Sequence, residues 1–483
     1  MPQHTALFDA KVRDYLKVPP VVVRDDATLG EAWAAARVAR EPIPIVRTDG
    51  SLFAMIAAND VLDWLARGLA DNEPIVRLAA KLGATLMPDQ CAFDALVALR
   101  SERLASMPVV AEGGRFVGSV ALVDLLSSIA SPVADLADVA ASTEKDALRQ
   151  MREASMQVAS RMLHGGVPSH RILATLSALD VEAHRQVLSR ALADLETDGW
   201  GTPPVAYALI VMGSVGRGEA FLDPDQDHAL ILADHPDEDR LSVESFFVAL
   251  AERLVDGLEA AGFTRCKGNV MSTSPVWRKS VSEWRAQLHL WTRRRQPMHL
   301  LDSCVLLDMR HVAGDIGLSS AVRDDMLSKM SGSREFVQAL YRIGEDHDVA
   351  LNWLGRVRAK SEPDQPGDER SVNLKLSGTL PLVEGARLLS LLSKIDANTT
   401  IDRLKRSSDR GAMNAGDATE LTEAFSMIAT LLLRRQLEQW QRRQPLTDSI
   451  DLVGLDNREI AKLRTALRAV SRFRSVLPEL LSL

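Results

Sequence analysis

A chain of 483 residues is too long for one hydrophobic core, and about three domains are expected. Hydrophobic content of 46% with 25% charged residues is ordinary for a globular protein, and few aromatics (5%) beside abundant Ala, Leu and Arg favour helix. A net charge of −8 argues against non-specific nucleic-acid binding, and no apolar run reaches the roughly 18 residues that a membrane span needs. Cys91, Cys266 and Cys304 lie far apart, without metal or disulfide spacing, and the opening MPQHTALFDAKVRDYL has no signal-peptide core. A reducing, cytoplasmic setting is therefore expected.

The first elements form a repeat. Pro44 and Pro108, Gly50 and Gly114, and Asp60 and Asp124 are each separated by 64 positions. Each copy reads as strand, helix, strand, turn, strand, helix, and two such units must pack together to bury their sheets. The repeat, within residues 12–130, resembles a tandem pair of CBS domains. That family ends each copy in Gly-x-x-Thr-x-x-Asp, whose Asp holds a nucleotide ribose and whose Thr faces phosphate. Here AMIAAND and GSVALVD keep Asp60 and Asp124 but place Ala57 and Ala121 at the Thr positions. The resemblance implies an adenosine nucleotide at Asp60 and Asp124. The alternative is that both aspartates cap helices and that the pair is a dimerisation or docking module.

Residues 131–200 carry apolar positions at helical spacing in two stretches, broken at HGGVPS, and read as a helical linker. GWGTPP then leads into a third region, 201–318.

This region holds YALIVMGSVGRGEAFLDPDQDHALILAD. The run Ala206–Met212 reads as a buried strand ending at Gly213 and Ser214, and a second apolar run follows Asp225 and Asp227. Carboxylates at i and i+2 on extended backbone point to one side, and two of them aimed at one point suit a hard cation such as Mg²⁺. A Gly-Ser turn opening into a helix presents backbone N–H groups suited to phosphate.

Strand, Gly-Ser, about ten residues, Asp-x-Asp, strand resembles the active-site signature of DNA polymerase beta type nucleotidyltransferases. GSVGRGE with DPDQD is similar to the PII uridylyltransferases and glutamine synthetase adenylyltransferases. It is more similar still to the nucleotidyltransferases of bacterial signal-transduction proteins that carry CBS domains. GNVMSTSPVWR, LLDMRHVAGD, KLSGTLPLVEGARLL and NTTIDRL extend the resemblance through residues 140–483. His228 stands where that family more often has Asn, and Asp223 where it often has a small residue.

The resemblance implies Mg²⁺ or Mn²⁺ on Asp225 and Asp227, with NTP phosphates on Gly213, Ser214 and Arg217. Arg217 can equally pair with Glu219 or Asp223. A third carboxylate normally completes such a site. Asp308, in CVLLDMRHV read as a strand, is the candidate; an ion pair with Arg310 is its alternative, and Asp302 the lesser substitute. Trp277 and Arg278 line the nucleotide pocket or lie in the core. Residues 319–483 show three- and four-residue apolar spacing and read as a C-terminal helical bundle, implied to bind substrate. Its Lys375, Arg387 and Arg403 are candidates for phosphate contacts, against a default of solvated helix faces.

The expected fold is thus α/β and α: a CBS pair, a helical linker, a polymerase-beta-like α/β domain and a helical bundle. The expected function is NMP transfer from NTP to a protein or small-molecule acceptor, PII-like protein uridylylation being the most specific form, under nucleotide control by the CBS pair. The expected assembly is a homodimer through the CBS domains. The alternative is a catalytically inactive nucleotide-sensing signalling protein.

Overall fold

The 64-residue repeat has a direct structural counterpart. In the computed structural model, which describes residues 10–18, 21–37, 42–56, 60–61, 64, 69–77, 84–102, 104–127, 145–345, 347–359 and 371–480, the chain divides into two units, Met1–Ser142 and Thr143–Leu483. In the smaller unit β1 (Val23–Arg24) leads to α1 (Leu29–Ala36), β2 (Ile43–Val46) and β3 (Leu52–Ile56). The second copy supplies α2 (Ala92–Ser101), β4 (Ser106–Val110), β5 (Phe116–Ala121) and α3 (Leu122–Ser127). β2 pairs antiparallel with β3 and β4 with β5, and the register slips at Ile45/Val46 and at Val109/Val110, the same place in each copy. The turns that follow use Gly50 and Gly114 at φ 82° and 76°, left-handed conformations that only glycine adopts cheaply. Leu29, Ile43, Ile45 and Ile56 form the first copy's core; Phe93, Leu96, Met107 and Val109 are buried in the second. Ala57 lies outside the described residues.

The larger unit opens with α4 (Lys145–His164) and α5 (Ser169–Thr197), the two helices expected as a linker. They do more than connect. Ile172, Leu173, Leu179, Leu188 and Leu195 of α5 are buried, and Val187 crosses α7 (Arg240–Ala260) at Gly257, where a Cβ would lie 2.5 Å from a Val187 methyl carbon. A side chain at 257 would force these helices apart.

The sheet has strand order β8-β7-β6-β9, from β6 (Tyr207–Val211), β7 (His228–Leu232), β8 (Arg278–Ser280) and β9 (Arg310–Gly314). β6 runs antiparallel to both β7 and β9, while β7 and β8 are parallel. Every residue of β7 is buried, as expected of a central strand covered on both faces. A short α6 (Gly213–Arg217) joins β6 to the Asp-x-Asp segment; α8 (Val281–Arg294) and α9 (Pro297–Leu306) lie between β8 and β9, and α10 (Ile316–Ser331) and α11 (Arg334–Gly344) follow.

One strand expectation is corrected. CVLLDMRHV is not one strand: Cys304–Leu306 close α9, Asp308 sits in the turn, and β9 begins only at Arg310. A run of Val and Leu shorter than eight residues fits either a buried helix end or a strand.

The C-terminal region is helical as expected: α12 (Leu380–Leu392), α13 (Thr400–Asp409), α14 (Ala415–Gln441) and α15 (Asn457–Leu480). Two additions escaped the periodicity. A π turn spans Lys375–Thr379, and β10 (Ser371–Asn373) pairs antiparallel with β11 (Ser449–Asp451). No described helix is long and apolar enough to cross a membrane.

Candidate active site

β6 delivers its C-terminal end directly to the site. After Val211, Met212 is extended and its N–H bonds Asp227 O at 2.8 Å, so the Gly-Ser turn and the Asp-x-Asp segment are tied side by side. Gly213 then takes φ +57°, and a Cβ there would meet Asp227 Oδ2 at 2.2 Å. Only glycine lets this carboxylate lie against the turn. Ser214 is half-buried in the first turn of α6.

Gln226 explains the aim of the two aspartates. It is fully buried and donates its amide to Val255 O and Phe263 O at 3.3 and 3.1 Å, while its N–H bonds Thr264 O. Residue 226 is pinned inward, and the Asp227 N–H bonds Asp225 O at 3.1 Å, a tight turn that sets the two aspartates on either side of Gln226, with the Asp225 charge acting on Asp227. Asp225 is exposed and Asp227 half-buried. Burial, with the neighbouring Asp225 charge adding to it, pushes the Asp227 carboxyl up to about 6 even though the Cys266 thiol hydrogen-bonds to it. Asp225 is also raised, by burial first, against the pull of Lys375 and Lys267. Two acids made costly to ionise by burial and by neighbouring carboxylates, Asp223 and Asp448 beside Asp225 and Asp225 beside Asp227, are set to gain from a hard cation, and this donor set fits one Mg²⁺ shared with the phosphates of a bound nucleotide.

Cys266, Lys267 and Lys375 complete this surround. Burial and the Asp227 charge push the Cys266 thiol up to about 12, so it stays protonated and donates. Lys375, at the start of the π turn, also pairs with Asp448 at 3.0 Å. The first two were invisible in the sequence, since CKGN matches no metal or phosphate pattern. Lys375 is the one phosphate candidate of the helical region that faces the aspartates.

The third-carboxylate expectation is corrected. Asp308 is fully buried, and three guanidinium groups surround it: Arg217 at 2.6 Å, Arg387 at 2.7 Å and Arg403 at 2.9 Å. Burial opposes its charge, but Arg387, Arg217 and Arg403 together hold its carboxyl far below the usual range. Among the described residues no group of three or more His, Cys, Asp or Glu is placed to hold a metal. Arg217, Arg387 and Arg403, expected as phosphate contacts, face Asp308 in this structure, and Arg217 faces Glu219 as well. Arg217 also donates to Glu219 at 2.9 Å, and Glu219 accepts from the Thr400 N–H and hydroxyl, so the turn is stitched to α13.

Trp277 takes the core alternative, packed edge-on against Trp291 with ring centroids 5.9 Å apart. Arg278 is buried too, donating to Ser272 O at 2.6 Å and pairing with Glu244. It shapes the Gly-rich block rather than a nucleotide pocket. His228 is buried beside His184, and burial pushes it down to about 3, so it is neutral.

In the smaller unit Asp124 lies in the first turn of α3 rather than at its cap, and Lys17 Nζ donates to its Oδ1 at 2.6 Å. The Lys17 backbone also exchanges two hydrogen bonds of 2.9 Å with Ser119. Asp60 is exposed at the matching position.

Two family models match the larger unit. "Putative nucleotidyltransferase DUF294" covers residues 153–298, and "Putative nucleotidyltransferase substrate binding domain" covers 334–479, together more than half of the chain. The chain belongs to the DUF294 family. The first DUF294 model spans α5, Gly213, Asp225 and Asp227; the second spans Lys375, Arg387 and Arg403. No curated protein matches. Among solved structures, the CBS domains of a transcriptional regulator from Streptococcus pneumoniae are similar at 14% identity, covering 25% of this chain and 98% of that one, with a TM-score of 0.23. The CBS domain of a bacterial CNNM/CorC family Mg²⁺ transporter, solved with ATP, matches at 24% identity over 26% of this chain and 89% of that one, with a TM-score of 0.23. CBSX2, solved with AMP, matches at 15% over 24% and 94%, with a TM-score of 0.21.

Gly213→Ala is expected to weaken Mg²⁺-dependent NTP binding at least tenfold, because the added methyl displaces Asp227. Its stability cost should stay near ~1 kcal/mol, the cost of a left-handed alanine. Titration of NTP with and without Mg²⁺ checks this; unchanged affinity would put the nucleotide elsewhere.

Proposed function

We propose that the chain transfers a nucleoside monophosphate from NTP to an acceptor in the cytoplasm, using Mg²⁺ or Mn²⁺, under control of its N-terminal repeat. The observation that carries this is the seating of Asp227 against Gly213, with the Asp225 charge acting on Asp227. Such an arrangement holds a metal-bound triphosphate where a strand end meets a phosphate-binding turn. When bound, the metal neutralises charge on the phosphates and orients the reacting oxygens. The chain's own residues fix the two carboxylates through Gln226 and set Lys375 and Lys267 near them. We propose a PII-like signalling protein or a small molecule as acceptor, with UMP the transferred group in the first case. The test is incubation with each labelled NTP, Mg²⁺ and lysate; label should appear in a protein band or a small-molecule filtrate, and none with any NTP defeats the proposal.

A second reading has one observation in its favour. With Asp308 sealed by arginines, no third carboxylate among the described residues joins Asp225 and Asp227 on the metal side. A protein that binds Mg·NTP without turnover would fit this, and the same experiment separates the two.

For the repeat we propose an adenosine nucleotide at Asp60 and Asp124 and dimerisation through this unit. Because Lys17 already holds Asp124, ligand entry must part that pair. Calorimetry on residues 1–142 is expected to show AMP, ADP or ATP binding that tightens in Lys17→Ala. No binding in either form would leave the unit a dimerisation module, which size-exclusion chromatography would register.

A further inference from the structure

Where the helical region meets the Gly213 turn there is a cavity of about 240 Å³. Gly213, Val305 and Cys304 line it from one side; Leu340, Ile343, Leu380 and Leu388 line it from the other. Both cations of its floor are engaged: Arg217 binds Asp308 and Glu219, and Arg387 binds Asp308 and feels the Glu384 charge. One polar group stands apart. Glu384 has its Oε1 2.9 Å from His347 Nδ1, while its buried Oε2 meets no hydrogen-bond partner among the described residues. A carboxylate oxygen left without a donor in an apolar wall costs free energy unless a ligand supplies one. Leu301, 47% exposed, marks the way in.

We propose that this cavity is the acceptor pocket, and that the acceptor is a small alcohol with an apolar body. The inference rests on the transferase reading above and names its substrate class. At about 30 Å³ per water-sized group the space holds about eight heavy atoms. A phosphorylated or acidic acceptor finds no free cation there among the described residues, because both arginines of the floor are committed. The acceptor's hydroxyl donates to Glu384 Oε2, and its position beside Gly213 puts it next to the turn against which Asp227 is seated. In the transfer the hydroxyl oxygen bonds the α-phosphorus. The bond from that phosphorus to the β-phosphate oxygen breaks, its electron pair leaves with pyrophosphate, and the hydroxyl proton passes to Glu384. A general base on the helical region makes a third metal-side carboxylate unnecessary for this proton.

The test uses the full chain, Mg²⁺, NTP and 2-phenylethanol as probe, with ethylbenzene as its hydroxyl-free counterpart. Binding is read by saturation-transfer NMR and turnover by pyrophosphate release. 2-Phenylethanol should bind and raise pyrophosphate release at least tenfold, and ethylbenzene should not raise it. Ile343→Trp, which fills the pocket from a half-buried position, should abolish probe binding and stimulation while Mg·NTP still binds. Glu384→Gln should retain the probe and lower stimulated release about 10²- to 10⁴-fold. Wild-type probe binding in Ile343→Trp, or wild-type release in Glu384→Gln, overturns the pocket. Failure of the transferase reading looks different: the wild-type chain would then transfer no label from any NTP to any acceptor in lysate, whether or not it binds Mg·NTP and the probe.

Discussion

Asp225→Ala or Asp227→Ala is expected to abolish nucleotide transfer, by about 10³-fold or more, since each removes half of the carboxylate pair and a metal clamp supplies several kcal/mol. The fold should be untouched. Asp225 is exposed, and Asp227 is held at a carboxyl value near 6 by burial and by its neighbour, so it destabilises the protein when ionised. Asp227→Asn should therefore melt at or slightly above the wild-type temperature near pH 7.5 while losing Mg·NTP binding. The sign follows from linkage: a carboxyl raised in the folded state favours folding at low pH, and that advantage is lost as pH rises through about 6. Thermal melts from pH 5 to 8, beside NTP titrations, check both halves. Full transfer activity in both alanine variants would remove these residues from the chemistry.

Asp308→Asn should do the opposite, leaving nucleotide affinity per folded molecule unchanged and collapsing stability. Removing the Asp308 charge leaves three guanidinium groups at a buried point with Glu219, on Arg217, as the remaining anion, and such uncompensated charge costs about 3–5 kcal/mol. Denaturant unfolding should show a lower midpoint with little change in slope. Replacing Arg387 by Met in the same protein should restore part of the loss, because one of the excess charges goes with it. A variant as stable as wild type yet inactive would return Asp308 to the metal.

These two aspartate sites differ in how far the sequence exposes them. Asp225 and Asp227 stand out in the sequence because their signals are local: an i, i+2 pair of carboxylates, a glycine at the end of the preceding strand, and apolar runs on both sides. The repeat is legible for a similar reason, and the structure adds a register slip that recurs 64 residues later. Asp308 is opaque because its environment is assembled from far away. Arg217, Arg387 and Arg403 lie 91, 79 and 95 positions from it, and nothing in CVLLDMRHV signals that three cations will converge there. Cys266 and the Gln226 anchor are hidden in the same way, since their roles depend on which backbone lies across from them.

The stitching of the Gly213 turn to α13 and α12 bears on how this chain can diversify. Arg217, Glu219 and Asp308 come from one family module, or its flank, and Arg387, Thr400 and Arg403 from the other. Neither set is electrically whole alone. A chimera that imports a foreign helical module to change the acceptor must carry these three positions with it. Genes cut between residues 298 and 334 should yield two fragments that are soluble only when co-expressed. On the acceptor pocket proposed above, substitutions at Leu340 and Ile343 would alter acceptor preference without touching the arginine cage, which has to be inherited as a unit.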